Sequence, residues 1–518
     1  MKEINVLPRD YQKKIFETCK ENNCLVILPT GTGKTLIAIM LAVNQFKKYP
    51  LEKILILAPT RPLIEQHLKS FKKIINNSDT WADMQIFTGK TPAEKRKQIW
   101  QTAEFIFSTP QCISNDLKNN LYKLSEVSLL IVDECHRCLK NYSYNLLAQK
   151  YKEQSNHPKI LGLTASPGSD KKTINQVCEN LGINSVEIRT RESSDVKPYL
   201  QELEFEKIEV DFPAEFQEIK FLLSELYNEK VRQLKEKNVL FGYPSKTTLL
   251  KTQSRIMNNI KKTKNPLLFS AASVCAQAIK ISHAIELLET QSLSSFISYL
   301  RELFKQASEK KSKGVQQLVK EPRFAKAFSL SLEINFEHPK MEKLKKIIKE
   351  QIEQNKNAKI IIFAQFRETV RKIAEELNKI ENVKAEIFVG QAKKSHNSFD
   401  GKTNFTGLKQ SEQKQMIKDF SDGKINILVA TSIAEEGLDI PEVNEVIFYE
   451  PIPSAIRSIQ RRGRTARLFP GALKILITKN TQDQAHHYAS QAKEKRMHSA
   501  ISSIKEDFDN NEKQKELF

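Results

Sequence analysis

The segment Cys24-Leu25-Val26-Ile27-Leu28-Pro29-Thr30-Gly31-Thr32-Gly33-Lys34-Thr35 decides how this chain is read. Its five leading apolar residues make a short buried strand, and the glycine-rich stretch after them ends that strand and opens a helix. Glycines let the backbone curl until successive N–H groups point at one spot, and the following helix turns its positive dipole end to the same place. The result is a cradle for phosphate oxygens. Pro29, Thr30, Gly31, Thr32 and Gly33 supply its backbone, Lys34 is placed to reach the outer phosphates of a nucleoside triphosphate, and Thr35 to hold Mg2+. The complete phosphate-loop pattern carries Gly at position 28, where this chain has Leu28. A strand-to-helix turn without a ligand is the plainer alternative, and the Lys-Thr ending speaks against it.

Outward from this segment, short apolar runs recur at 54–58, 105–108, 129–132 and 160–163, separated by amphipathic stretches. Alternation of this kind predicts a parallel sheet with helices on both faces. After Asp211 the strand signal stops. From 214 to 332 apolar residues recur at helical spacing (Phe216, Ile219, Leu223, Leu226, then Leu268, Ala272, Cys275, Ile279), among many lysines. The alternating pattern resumes at His338, with runs at 359–363, 385–388, 427–430, 446–449 and 473–477. The expected organisation is therefore a nucleotide-binding α/β domain over 1–205, an all-helical insertion over 206–337, a second α/β domain over 338–490 and a charged tail over 491–518, frayed from 505. The polar stretch 391–410 is expected to be a mobile loop.

Two further constellations carry chemistry. Val132-Asp133-Glu134-Cys135-His136 follows the apolar run 129–132. An acidic pair at a strand end suits a divalent cation: Asp133 to hold the metal, Glu134 to polarise an attacking water. Alone the pattern is common. A hundred residues after a phosphate loop it is specific, because both must meet at the carboxyl edge of one sheet. The other is Gln460-Arg461-Arg462-Gly463-Arg464-Thr465-Ala466-Arg467. It reads either as a basic helix face or as a pair of arginine fingers, Arg464 and Arg467, reaching a γ-phosphate from the second domain and making hydrolysis depend on domain closure.

The 518 residues carry a net charge of +20, which points to a polyanionic partner; a merely solvated lysine-rich surface is the competing explanation. Seven cysteines at scattered spacing argue against a disulfide framework and for a reducing compartment. Cys135 and Cys138 flank His136 in a C-x-x-C, but no second ligand pair stands at a useful distance, so the segment is read as part of the acidic motif. With no signal-peptide core and no apolar run of membrane-spanning length, the expectation is a soluble protein of the cytoplasm, nucleoid-associated, without a membrane partner.

The order of these elements resembles the motif series of superfamily two helicases, with two RecA-like domains. The resemblance implies ATP as the nucleotide, with Arg9 and Gln12 of Pro8-Arg9-Asp10-Tyr11-Gln12 at the adenine. It implies strand contacts from Thr60 and Arg61 (in Ala58-Pro59-Thr60-Arg61-Pro62), Thr109, Gly390, Gln391 and Thr431. The resemblance further implies that Thr164 and Ser166 couple hydrolysis to movement, that Gly437 and Asp439 of motif five (430–441) contact nucleotide, and that Gln460 joins the arginines in motif six. Three segments narrow it: 161–169, His283-Ala284-Ile285-Glu286-Leu287-Leu288-Glu289-Thr290-Gln291 and 449–465 are similar to the archaeal Hef helicases, relatives of the Fanconi anaemia M translocase. That family implies unwinding or branch migration of forked DNA, with 3′ to 5′ polarity, and partners such as a nuclease or a sliding clamp. The His283 segment weighs most because it lies in the insertion; His283 itself reads as structural. Cys135 stands where the archaeal relatives usually have Ala, a form common in immune-sensor RNA helicases, so a double-stranded RNA motor is the alternative. Ala466 replaces a usual Gly. No Glu-Arg-Lys nuclease signature is found, so no nuclease activity is implied. Gln514-Lys515-Glu516-Leu517-Phe518 reads as a frayed end or as a shortened clamp-binding tail.

Overall fold

A computed structural model describes residues 4–75, 82–139, 142–168, 170–200, 203–263, 265–390, 407–431, 441, 443–452, 454 and 471–516. The first α/β unit has strands β1 (Cys24–Ile27), β2 (Lys53–Leu57), β3 (Met84–Phe87), β4 (Phe105–Ser108), β5 (Val127–Asp133), β6 (Ile160–Thr164) and β7 (Ser185–Ile188). They pair in the order β3-β4-β2-β5-β6-β1-β7, every pair parallel. The central strands are buried along their whole length, because helices cover both faces: α1 (Asp10–Glu21), α2 (Lys34–Lys48), α3 (Arg61–Ile74), α4 (Ala93–Thr102), α5 (Pro110–Lys118), α6 (Ser143–Gln154) and α7 (Lys171–Leu181). Two apolar cores result, one on each face. All strands being parallel, the carboxyl ends of β1, β5 and β6 lie on one edge, where α/β sheets place their ligands.

The second sheet runs β10-β11-β9-β12-β13-β8, again all parallel. Its strands are β8 (Leu203–Val210), β9 (Ile360–Phe363), β10 (Ala385–Phe388), β11 (Ile427–Ala430), β12 (Glu445–Phe448) and β13 (Gly471–Thr478). The insertion between β8 and the rest is helical throughout: α8 (Ala214–Glu236), α9 (Lys246–Thr263), α10 (Pro266–Thr290), α11 (Leu293–Ser308), α12 (Lys313–Lys320) and α13 (Pro322–Glu333). Then follow α14 (Pro339–Gln354), α15 (Arg367–Leu377), α16 (Gln410–Ser421) and a long terminal helix, α17 (Gln482–Glu516). The fold is thus the expected pair of parallel-sheet domains with a helical bundle between them.

The expected boundaries shift in two places. A cut after residue 205 falls inside β8, which hydrogen-bonds to β13 along its whole length, so the chain enters the second domain before the insertion begins. Nor is 491–504 a free tail. It continues α17, which returns to the first domain, where Met497, Ile501 and Ile504 are buried in the core beside α7 and β7. These three recur at near-helical spacing and form a stripe that the surrounding charge hides. Contrary to the membrane expectation, α10 is long and apolar enough by length and composition to cross one. Gln277, Lys280 and His283 interrupt it as an apolar run; in the fold it packs against α8, α9, α11 and α12.

The insertion is joined to the second domain by a buried polar cluster. The Lys340 and Asp483 side chains are both fully buried and paired. Lys340 also donates to the Thr290 carbonyl at the end of α10 (3.1 Å), and Asp483 accepts from the Thr478 amide (3.0 Å). Glu289 accepts from the Gln482 amide (3.0 Å) and pairs with Lys220 of α8 (2.7 Å). Removing one member of a buried ion pair leaves the other charge uncompensated. Lys340→Met is therefore expected to destabilise the protein by about 3–5 kcal/mol, read as a lowered urea midpoint. The double change with Asp483→Leu should recover most of that loss.

Candidate active site

The phosphate loop has the backbone its sequence predicts. Gly31 and Gly33 take φ of +81° and +83°, a region where side chains are disfavoured, and α2 starts at Lys34 with no side chain capping its first turn. The positive end of this helix thus faces the place an anion would take. Lys34 Nζ donates to the carbonyls of Leu28 (2.9 Å) and Pro29 (3.2 Å), along the floor of the loop. Arg9 caps α1, its backbone N–H donating to Gln12 Oε1 (2.9 Å). The Gln12 amide and the Tyr11 hydroxyl both donate to the Thr32 carbonyl (3.0 and 2.5 Å). The segment expected at the adenine thus holds the loop directly. A Cβ at Gly33 would lie 2.3 Å from Gln12 Nε2, a second reason for glycine there.

Across β6 from β1, the end of β5 carries the acidic pair. Asp133 is buried, and its Oδ2 lies 2.7 Å from His67 Nε2 on α3. Burial alone raises the carboxyl, but His67 and Lys34 nearby bring it below its ordinary value. The Tyr144 hydroxyl donates to the Asp133 carbonyl (3.1 Å). Glu134 has φ +50° and ψ +45°, the left-handed region, uncommon for a residue with a side chain. That turn lifts its carboxylate off the strand and sets Oε2 3.2 Å from His136 Nδ1. The same nitrogen lies 3.1 Å from Thr164 Oγ1, which accepts from the Ser166 amide (3.1 Å). Thr164 and Ser166 are thus wired to the acidic pair through one imidazole. Tyr11 sits inside the segment expected at the adenine, but nothing local in the sequence marks His67 or Tyr144 as parts of this site. They reach it through tertiary packing.

These residues fit ATP and Mg2+: an amide cradle, a lysine at its floor, Thr35 on the first turn of the helix, and a buried carboxylate held in its charged form. Beside them runs the face expected to take a strand. Thr60 caps α3 and Thr109 caps α5 without side-chain cap bonds; Thr60 Oγ1 and Arg61 Nη1 are buried and have no hydrogen-bond partner among the described residues. Arg61 Nε donates to Glu65 (2.8 Å), which also pairs with Lys414 of α16 in the second domain. There the Gly390 carbonyl accepts from Arg367 (3.0 Å), and the Thr431 amide donates to Phe388 (3.2 Å). Gln391, Gly437, Asp439, Gln460, Arg464 and Arg467 lie outside the described residues, as do 391–406 of the expected loop.

Comparison with known proteins finds helicases along nearly the whole chain. A DEAD/DEAH box helicase model matches residues 9–174, a helicase conserved C-terminal domain model 339–469, and a model described as "Putative ATP-dependent RNA helicase, helical bundle" 215–338. The crystal structure of the Pyrococcus furiosus Hef helicase domain superposes with a TM-score of 0.70 at 43% identity, over 93% of this chain and 98% of that one. A Methanocaldococcus jannaschii protein named "Putative ATP-dependent RNA helicase MJ1505" is 38% identical over 96% of this chain and 61% of its own length. The mouse Fanconi anemia group M protein homolog is 32% identical over 95% of this chain and 26% of its own. The chain therefore spans only part of these longer relatives.

Proposed function

The chain belongs to the Hef helicase family of superfamily two, and on that premise we propose that it is an ATP-driven motor that acts on branched DNA, unwinding or migrating forks and Holliday junctions in fork repair and recombination. One observation carries the motor reading. The phosphate loop, the Asp133-Glu134 pair and the Glu134–His136–Thr164 relay converge on one sheet edge, so the residues suited to bind nucleotide and those suited to sense its hydrolysis stand side by side. When bound, ATP supplies the phosphoanhydride whose hydrolysis drives movement. Lys34 and the loop amides bind its phosphates, Thr35 and Asp133 hold Mg2+, and Glu134 takes the proton of the attacking water. Thr60, Arg61, Thr109 and Thr431 grip the backbone without reading sequence. Arg464 and Arg467 complete the site from the second domain, and polarity is 3′ to 5′. A separate nuclease or sliding clamp is the partner class this reading brings with it.

ATP hydrolysis measured with fork DNA, Holliday junction, linear duplex and duplex RNA tests the proposal. Greatest stimulation by the two branched DNAs is expected. Equal stimulation by linear duplex would defeat the branched-DNA reading. Greatest stimulation by duplex RNA would favour the second reading, an RNA motor, which the names of the insertion model and the Methanocaldococcus relative suggest.

A further inference from the structure

The turn joining α8 to α9 in the insertion presents two aromatic rings to solvent. Phe241 is 63% exposed and Tyr243 84%, whereas the neighbouring Leu240 is buried in the bundle. Gly242 between them has φ +77° and open space around it. The turn is firmly held: the Tyr227 hydroxyl donates to the Pro244 carbonyl, and Ser245 Oγ accepts from the Thr248 amide (3.1 Å). Arg255 donates to the Val239 carbonyl and places its guanidinium 5.2 Å from the Phe241 ring centre. Phe241, Thr248, Lys251, Thr252 and Arg255 line a recess of about 210 Å³. From Glu236 to Glu286 the chain has no acidic residue in between, so the positive charge around the recess is not neutralised from its own segment.

We propose that this turn is a stacking site for an unpaired nucleobase at a DNA branch, a subsite that rests on the branched-DNA reading above. Phe241 and Tyr243 offer the π faces, and Lys251 and Arg255 meet the flanking phosphates. Rings held beside Lys251 and Arg255, which form no ion pair among the described residues, suit a ligand that has a flat face and a negative backbone in each repeating unit, as a single strand does. Arg255 covers one face of Phe241, so a base on the other completes a cation–ring–base stack. Because Arg255 already packs on the Phe241 ring, stacking a base on that ring forfeits less side-chain entropy. Stacking reads no sequence, and the site is thereby suited to a branch of any sequence.

The test uses the full chain and DNA carrying 2-aminopurine, whose fluorescence is quenched by stacking, at the first unpaired position of a fork and in a plain single strand. Binding of the unaltered protein should quench both. F241A/Y243A should lose the quench and about tenfold in affinity for both DNAs, with affinity for blunt duplex and ATP turnover at saturating DNA unchanged. F241Y/Y243F, which keeps both rings, should restore quench and affinity. Unchanged quench and affinity in F241A/Y243A would overturn the site and leave the rings to a protein partner. So would a loss on blunt duplex as large as on the fork, or a failure of F241Y/Y243F to restore binding. Failure of the branched-DNA reading is distinguishable: the unaltered protein would then bind fork and duplex alike, while the single-strand quench still reports on stacking.

Discussion

Replacing Arg464 with Ala is expected to slow ATP hydrolysis by about 10³–10⁵-fold while leaving nucleotide affinity within a few fold. The two quantities separate because a finger acts on charge that develops in the transition state, and it arrives only when the second domain closes on the first. The assignment comes from the arginine motif at 460–467. Titration with a fluorescent ATP analogue, set beside steady-state turnover on fork DNA, gives both numbers. If affinity fell as far as turnover, Arg464 would be a ground-state ligand and the link between closure and hydrolysis would have to be sought elsewhere. Arg467→Ala serves as the companion and should show the same pattern if both arginines reach the phosphate.

Glu134→Gln is expected to yield a folded protein that binds ATP and Mg2+ normally and turns over about 10²–10⁴-fold more slowly. Gln keeps the shape and can still hydrogen-bond His136, which lies 3.2 Å from the carboxylate; what it loses is the ability to take a proton. The left-handed backbone at residue 134 is as accessible to Gln as to Glu, so no folding penalty confuses the result. Lys34→Ala, by contrast, should lose the phosphate grip itself and weaken nucleotide binding along with turnover. Near-normal single-turnover hydrolysis in purified Glu134→Gln would remove Glu134 from the proposed chemistry.

The parts of this architecture that rest on contiguous residues could be read from the sequence. The phosphate loop and the acidic pair are short motifs at strand ends, and the central strands announce themselves as apolar runs because they are buried on both faces. The strands that went unread are β3, β7 and β8, and all three are sheet edges. Ile86 and Ile188 are only partly buried, and Glu204, Phe205 and Glu206 face solvent, so no apolar run forms. His67 illustrates the same limit in the site. It bonds Asp133 across 66 positions of chain, and no spacing rule connects a histidine six residues into α3 with a carboxylate at the end of β5. The buried Lys340–Asp483 pair is equally silent, since each residue alone looks like an ordinary surface charge.

The path of α17 matters to anyone who would watch this molecule work. It leaves the second sheet at Gln482 and ends against the first domain, with Met497, Ile501 and Ile504 in that domain's core. A fluorophore attached at the end of this helix would therefore ride with the domain that is earlier in sequence. Paired with a dye on α2, it would report almost no distance change during a cycle of opening and closing. Paired with a dye on α15, it would report nearly all of it. The helix itself is a strap of fixed length, and its stretch between Gln482 and Met497 must bend or swing for the domains to part.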